Sequence, residues 1–283
     1  MKLTTKFAAI TAATVLLSGG SVFAGGLFDD MDCSHTAPRR GASPASGVSR
    51  VVIHADSGSL KVDGTPGATQ IVASGTACTS DDDFLERITL TMRRSGSDLH
   101  ITADIPDKTV IFGFFSARLD LGVTLPAGLP VVIDDDSGWI KTANTGTMTI
   151  DDDSGAIEVV NVRGDLTIHD DSGAIAIDGV TGSVNVEDDS GELTVKNVGG
   201  NVEIEDDSGS ITVARIAGSL RIRNDDSGSI LVQNVKRDVL IDEDGSGSID
   251  VADVGGNFTV GSKGSGGIDY ARVAGKVRVP EKD

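Results

Sequence analysis

Ser-Gly recurs through the second half of this 283-residue chain, with its glycine at 138, 155, 173, 191, 209, 228, 247 and 266. The intervals are 17, 18, 18, 18, 19, 19 and 19 residues. Eight matches at so constant a period mark a repeat architecture. Most units open on Asp-Asp-Ser-Gly, alternate apolar and polar residues, turn on a second small corner and alternate again. Residues 205–222 show the plan: EDDSGSITV is followed by ARIAGSLRI, two nine-residue halves with glycine fifth and apolar residues seventh and ninth.

Alternation with a period of two specifies strands, and the recurring glycines specify corners where φ is free to turn positive. Strands of about four residues between short corners cannot make an amphipathic helix, but they can stack coil on coil. The predicted fold is all-β, a parallel β-solenoid of about eight 17–19-residue coils. Its neighbouring coils are about 4.8 Å apart, which gives a rod of roughly 40 Å. One interior column runs Ile140, Ile157, Ile175, Leu193, Ile211, Ile230, Ile249, Ile268. A second runs Met148, Leu166, Val184, Val202, Leu220, Val239, Phe258, Val277, and the second corner adds Val162, Val180, Val198, Ile216, Val235, Val254 and Val273. Coils this slim leave little room for large rings, in keeping with 4% aromatic residues. The nine-residue half-repeat favours two main faces.

Ahead of the repeats the chain divides into three stretches. Residues 1–24 read as a secretory signal peptide: Lys2 and Lys6, an apolar run over 7–17 too short to span a bilayer comfortably, then Val22 and Ala24 before the cut. Cys33 lies nine residues beyond Ala24, so it cannot be the lipid-bearing cysteine of a lipoprotein cut there. Residues 25–47 are rich in Gly, Ala, Ser and Pro and read as a flexible segment. Residues 48–133 read as irregular strands that form a β cap before the repeats of 134–283. A hairpin is expected around Ser95-Gly96-Ser97. Solenoid ends expose apolar interior and unpaired edges, so an atypical terminal unit is expected.

The two cysteines, Cys33 and Cys78, allow one intramolecular bridge, and an oxidising destination favours it over free thiols or intermolecular bridges. Lys plus Arg number 24 against 43 Asp plus Glu, a formal charge of -19. Without Lys2 and Lys6 the balance is 22 against 43, or -21. A surface so acidic repels phosphate backbones, which argues against nucleic acid as a partner.

A loose strand region, the segment LDLGVTLPAGLPVVI (119–133) and then repeated D-S-G-x-I-x-V together resemble a β-strand-repeat family of unknown function, labelled "putative adhesins". The resemblance covers residues 48–279. It implies an exported or envelope-associated β-solenoid and carries no catalytic residues. The doubled aspartate before Ser-Gly departs from the family's commoner small or neutral polar residues.

That doubled aspartate is the main chemical feature. Stacking aligns Asp136, Asp153, Asp171, Asp189, Asp207 and Asp226 in one column, and Asp135, Asp152, Asp170, Asp188, Asp206 and Asp225 beside it. The half-repeat equates the first column with Val162, Val198 and Ile216, which predicts that it points inward or along the corner edge. Adjacent charges at this spacing repel by about 0.9 kcal/mol in water and about 3.5 kcal/mol at an effective dielectric of 20. Two readings resolve the repulsion. In one, each Asp accepts from an amide two residues on, in Asx-turn fashion. In the other, Asp153, Asp171, Asp189, Asp207 and Asp226 ligate Ca²⁺ with help from corner oxygens. The ladder dissolves in later coils, where a lysine, Lys263, enters the last corner.

Other chemistry is thin. His35, His54, His100 and His169 show no metal-binding spacing, and the coils lack the long loops that build a catalytic groove in β-helix enzymes acting on acidic polysaccharides. The outward column Glu158, Ala176, Thr194, Thr212, Leu231 is too irregular to match ice. The apolar segment 110–115, VIFGFF, reads either as a plug over the open end of the solenoid or as an exposed patch for a partner or membrane surface. The expected protein is therefore non-enzymatic, needs no cofactor unless Ca²⁺, and is periplasmic or extracellular. Its expected partner is an envelope or surface component, protein or glycan, and a polysaccharide-active enzyme is the distant alternative.

Overall fold

The computed structural model describes residues 33–106 and 115–280. The expected leader, 1–24, and most of the apolar segment, 110–114, lie outside the described residues. Among the described residues no helix is long and apolar enough to cross a membrane.

The repeats form a parallel β-solenoid with two strands per coil. β1 (His35–Pro44), β2 (Arg50–Ser57), β3 (Leu60–Thr65) and β4 (Gln70–Thr79) open the chain, followed by the short helix α1 (Asp82–Leu85). Then come β5 (Thr89–Ser95), β6 (Asp98–Asp104), β7 (Ala117–Pro126), β8 (Val131–Ser137) and β9 (Ile140–Ala143). From β8 onward each coil lies on the next in register, with Met148 on Val131 and Leu166 on Met148 on one face. Ile157 lies on Ile140 and Ile175 on Ile157 on the other. In the middle coils the strand passes through the corner without a break, as in Val184–Val198 and Val202–Ile216, which pair over their whole length. All three expected apolar columns are buried through the middle of the rod, and the last coil leaves Ile268, Val273 and Val277 partly exposed at the open end.

The glycine column explains why the period is so strict. A Cβ on Gly191 would sit 1.6 Å from the carbonyl oxygen of Gly173, and one on Gly228 would sit 1.5 Å from that of Gly209. Their φ values, +149° and +152°, disfavour any L side chain independently of space.

The region before the repeats continues the solenoid, but out of chain order. β2 lies between β6 and β8, and β3 lies between β7 and β9, all in parallel. Ser57-Gly58 is thus a ninth member of the corner column, because a Cβ on Gly138 would meet the Gly58 oxygen at 1.9 Å. Antiparallel strands close this end: β5 on β6, and β4 between β7 and β1. The expected hairpin is present, with Ser95 opposite Asp98.

The segment 25–47 requires correction. Its second half is a ten-residue strand, β1, paired with β4 from His35–Thr79 to Pro44–Gln70. Two prolines and a glycine made it read as loop. β1 pairs with β4 alone among the described strands, so its other edge needs no amide donors and tolerates proline. Cys33 and Cys78 form the expected disulfide, with Cα atoms 5.4 Å apart, beside the start of that pairing. At the same end of the pair, Asp81 caps α1 by accepting from the Asp83 amide at 3.1 Å. The helix buries Phe84 and Leu85, and Phe115 meets the Phe84 ring edge-on at 4.8 Å.

Candidate functional site

The aspartate corner is the site that carries unexplained chemistry, and the structure reverses its two columns. Asp136, Asp153, Asp171, Asp189, Asp207 and Asp226 are exposed on the outside of the corner. Their neighbours Asp135, Asp152, Asp170, Asp188, Asp206 and Asp225, joined by Asp244, are buried, with 0–4% of their surface exposed. The cause is local backbone geometry. The chain enters the first corner fully extended, so alternation carries on: Met148 in, Thr149 out, Ile150 in, Asp151 out, Asp152 in, Asp153 out. At the second corner Asn161 adopts φ +58° and interrupts the alternation, which places Val162 inside. The two half-repeats match in sequence but not in conformation.

The inward column is continuous. Cα registers pair Asp135 with Asp152, Asp152 with Asp170, Asp170 with Asp188, Asp188 with Asp206 and Asp206 with Asp225. Toward the N-terminal end the column passes into Ala55 and Ala103, which carry no charge. Toward the C-terminal end Asp244 pairs with Lys263. The Lys263 ammonium is itself buried; it donates to the Asp244 carboxylate and to the carbonyls of Gly247 and Ser265, each at 2.9 Å.

The remaining carboxylates are poorly satisfied. Asp188 and Asp206 each accept from the Ser amide two residues on at 3.2 Å, the Asx-turn contact, and their other oxygens are buried without a partner. In Asp135, Asp152, Asp170 and Asp225 neither carboxyl oxygen has a hydrogen-bond partner. The Ser154, Ser172 and Ser227 amides lie toward Asp152, Asp170 and Asp225 and partly favour their charged forms without reaching hydrogen-bond geometry. Burial is the main cause that pushes these groups upward, reinforced by neighbouring aspartates. Asp135 rises to about 8, Asp170 and Asp206 to about 7, and Asp152, Asp188 and Asp225 to about 6.

The exposed column does different work. Ser172, Ser190 and Ser208 donate their hydroxyls to the carbonyls of Asp153, Asp171 and Asp189 in the preceding coil, at 3.2–3.4 Å. These bonds tie the corners together down the rod. The column's carboxylates face solvent.

Two further rows face outward. Asn144, Asn161, Asn197, Arg215, Asn234, Asp253 and Arg272 all have φ of 55–60° at the second corner. Asn and Asp tolerate this region better than other L residues. The two arginines are held by side-chain pairing, Arg215 to Asn197 at 2.6 Å and Arg272 to Asp253 at 2.5 and 2.7 Å. On one flat face Arg223 pairs with Glu203 at 2.7 Å and Glu205 at 3.3 Å, and Arg221 with Asp242 at 2.7 Å. A shallow depression of about 440 Å³ lies on this face, lined by Asp165, Thr167, Asn185, Asn201, Glu203 and Arg223 among others.

The signal for the buried column was in the sequence, in the unbroken extended register from Ile150 to Asp152. The half-repeat symmetry, which equates Asp207 with Ile216, points the other way. A signal for Ser57-Gly58 was also present, since D-S-G-S-L-K-V (56–62) matches the repeat. Its distance of 80 residues from Gly138 hid it.

No family model matches the chain, and no curated protein matches it. Solved structures do. A "putative adhesin" from Parabacteroides distasonis ATCC 8503 is 11% identical, with 86% of this chain and 97% of that one covered and a TM-score of 0.42. A "putative adhesin" from Bacteroides fragilis NCTC 9343 is 12% identical, covering 86% and 97%, with a TM-score of 0.38. A "putative cell adhesion protein" from Clostridium sporogenes ATCC 15579 is 11% identical, covering 87% and 99%, with a TM-score of 0.28. At this level of likeness no function transfers to this chain.

Proposed function

We propose that this protein is a non-catalytic, exported solenoid that acts as an adhesin-like binding or scaffold element of the cell envelope or surface. The observation that carries the reading is the coil-on-coil stacking of the outer faces, which a bulge between Ile204 and Asp206 offsets by one residue. Thr149, Thr167, Asn185, Glu203 and Arg221 follow one another coil by coil, with no inserted loop between these described coils to wall a reaction cleft. A surface of this kind lays one hydroxyl, amide or charged side chain per coil in a row along the rod, which suits an extended partner. The Cys33–Cys78 bridge fits an oxidising compartment. The sequence resemblance carried by residues 119–133 and the D-S-G-x-I-x-V repeats points the same way.

The partner in this reading is an envelope protein or glycan that meets the polar face around Asn185, Asn201, Glu203 and Arg223. The test is retention of native envelope fractions on the immobilised mature chain, compared with a variant carrying Asn185→Ala, Glu203→Ala and Arg223→Ala. The expected result is capture by the wild type and at least tenfold weaker capture by the variant, with no turnover of acidic glycans. Equal capture by both proteins would reject the face, and release of glycan fragments would reject the non-catalytic reading.

A further inference from the structure

The seven inward aspartates leave an electrostatic problem that the polypeptide solves at one end only. At the C-terminal end the column ends in a cation, Lys263, which lies in register with Asp244. Its ammonium is held by one carboxylate and by two backbone carbonyls, that of Gly247 in the Asp244 corner and that of Ser265 in its own. This arrangement shows what the corner offers a positive charge: an all-oxygen set of one inward carboxylate with glycine and serine carbonyls. The coils before it repeat every element of that set except the lysine. Ser-Gly corners recur at Ser154-Gly155, Ser172-Gly173, Ser190-Gly191, Ser208-Gly209 and Ser227-Gly228. The carboxyl oxygens that would face the cation are buried and without partners in Asp135, Asp152, Asp170 and Asp225, and half-satisfied in Asp188 and Asp206.

Among the described residues no three acidic, histidine or cysteine side chains form a group that could hold a metal ion. A site here must therefore be shared between coils: two carboxylates about 4.8 Å apart along the column, completed by corner carbonyls and water. Hard oxygen donors, variable denticity and tolerance of irregular geometry are the preferences of calcium; magnesium demands a tighter octahedron, and zinc prefers nitrogen and sulfur.

We propose that the inward column Asp135–Asp152–Asp170–Asp188–Asp206–Asp225 binds calcium ions between consecutive coils, with Lys263 as the built-in cation that ends the row. The exposed column, Asp153, Asp171, Asp189, Asp207 and Asp226, does not supply the ligands. This inference is independent of the envelope-binding reading, since it concerns what fills the rod rather than what the rod touches.

The experiment is thermal unfolding of the full mature chain at pH 8 in EDTA, in millimolar calcium chloride and in magnesium chloride at matched ionic strength. Calorimetric titration of the EDTA-stripped protein with calcium chloride accompanies it. Calcium is expected to raise the midpoint by roughly 5 °C or more, and magnesium by less. Titration is expected to show a stoichiometry above one. The triple variant Asp170→Asn, Asp188→Asn, Asp206→Asn keeps side-chain shape while removing charge. It should unfold at a higher temperature than wild type in EDTA and lose most of the calcium shift. The control Asp171→Asn, Asp189→Asn, Asp207→Asn, on the exposed column, should keep the shift. No calcium heat and no calcium shift in the wild type would overturn the proposal in favour of protons as the charge balance. A shift lost only in the exposed-column control would overturn it in favour of the outer ligands.

Discussion

The two corners of each coil derive from similar nine-residue halves, yet they bury opposite kinds of side chain. At the Asp-Ser-Gly corner the strand stays extended to the turn and a carboxylate lands inside. At the other corner a left-handed residue interrupts the alternation, and a valine or isoleucine lands inside in every coil after the first, where Thr145 takes the place. One dihedral angle per coil thus separates a dry hydrophobic seam from a charged one. The charged seam is a stability liability unless protons or ions neutralise it. The apolar seam needs neither. Side-chain direction follows the backbone path into a corner, and sequence symmetry between halves is a weaker guide.

The largest expected effect breaks the first corner itself. Gly191→Val places a branched side chain against the Gly173 carbonyl at a φ of +149°. Unfolding in urea should show a loss of about 4 kcal/mol or an unfolded chain. Making the apolar corner resemble the charged one comes next. Val198→Asp buries a carboxylate among Val180, Ile216 and neighbouring aliphatic residues and should cost about 3 kcal/mol by the same measurement. The reverse exchange should go the other way: Asp206→Val, assayed in EDTA at pH 8, should gain about 1–2 kcal/mol, because an aliphatic side chain replaces a half-satisfied buried carboxylate.

Acidity sharpens the same contrast. Burial raises Asp135, Asp152, Asp170, Asp188, Asp206 and Asp225 from the ordinary 3.8 to about 6 to 8 in the folded chain. The folded state therefore holds more protons between those limits, and the stability these groups contribute falls as pH rises through that window. In EDTA the urea midpoint should decrease from pH 5 to pH 8, and the Asp170→Asn, Asp188→Asn, Asp206→Asn variant should flatten the slope. A midpoint that rises over this range would show the column ionised without cost. The smallest effect belongs to the second corner. Arg215→Gly relieves a left-handed arginine but loses the bond to Asn197, so the gain should be about 0.5–1 kcal/mol, read from thermal melts.

Most of the regular rod was legible in the chain. The Ser-Gly spacing announced coils, and apolar alternation named the columns that the structure buries from Ile140 to Ile249 and from Met148 to Phe258. The aspartate column was legible as a column but not in direction, since the choice between Asp152 and Asp153 depends on whether the preceding residues stay extended. The N-terminal region was legible as strands only. Its coil at Asp56–Val62 stacks between elements that follow it in the chain, and local pattern carries no information on such insertion. β1 was missed because prolines and small residues disguise an edge strand. α1 was missed because one turn of helix leaves no periodic signal.

What the amino-acid order determined by itself is the repeat: a period, a glycine where no Cβ fits, and aliphatic side chains every second residue, all consequences of local sterics and solvation. The tertiary structure alone decided which aspartate faces inward, which strands lie beside β2, and where Lys263 meets the carboxylate row. Those outcomes depend on register between segments far apart in the chain, and only stacking fixes that register, because the free energy of pairing belongs to two strands at once.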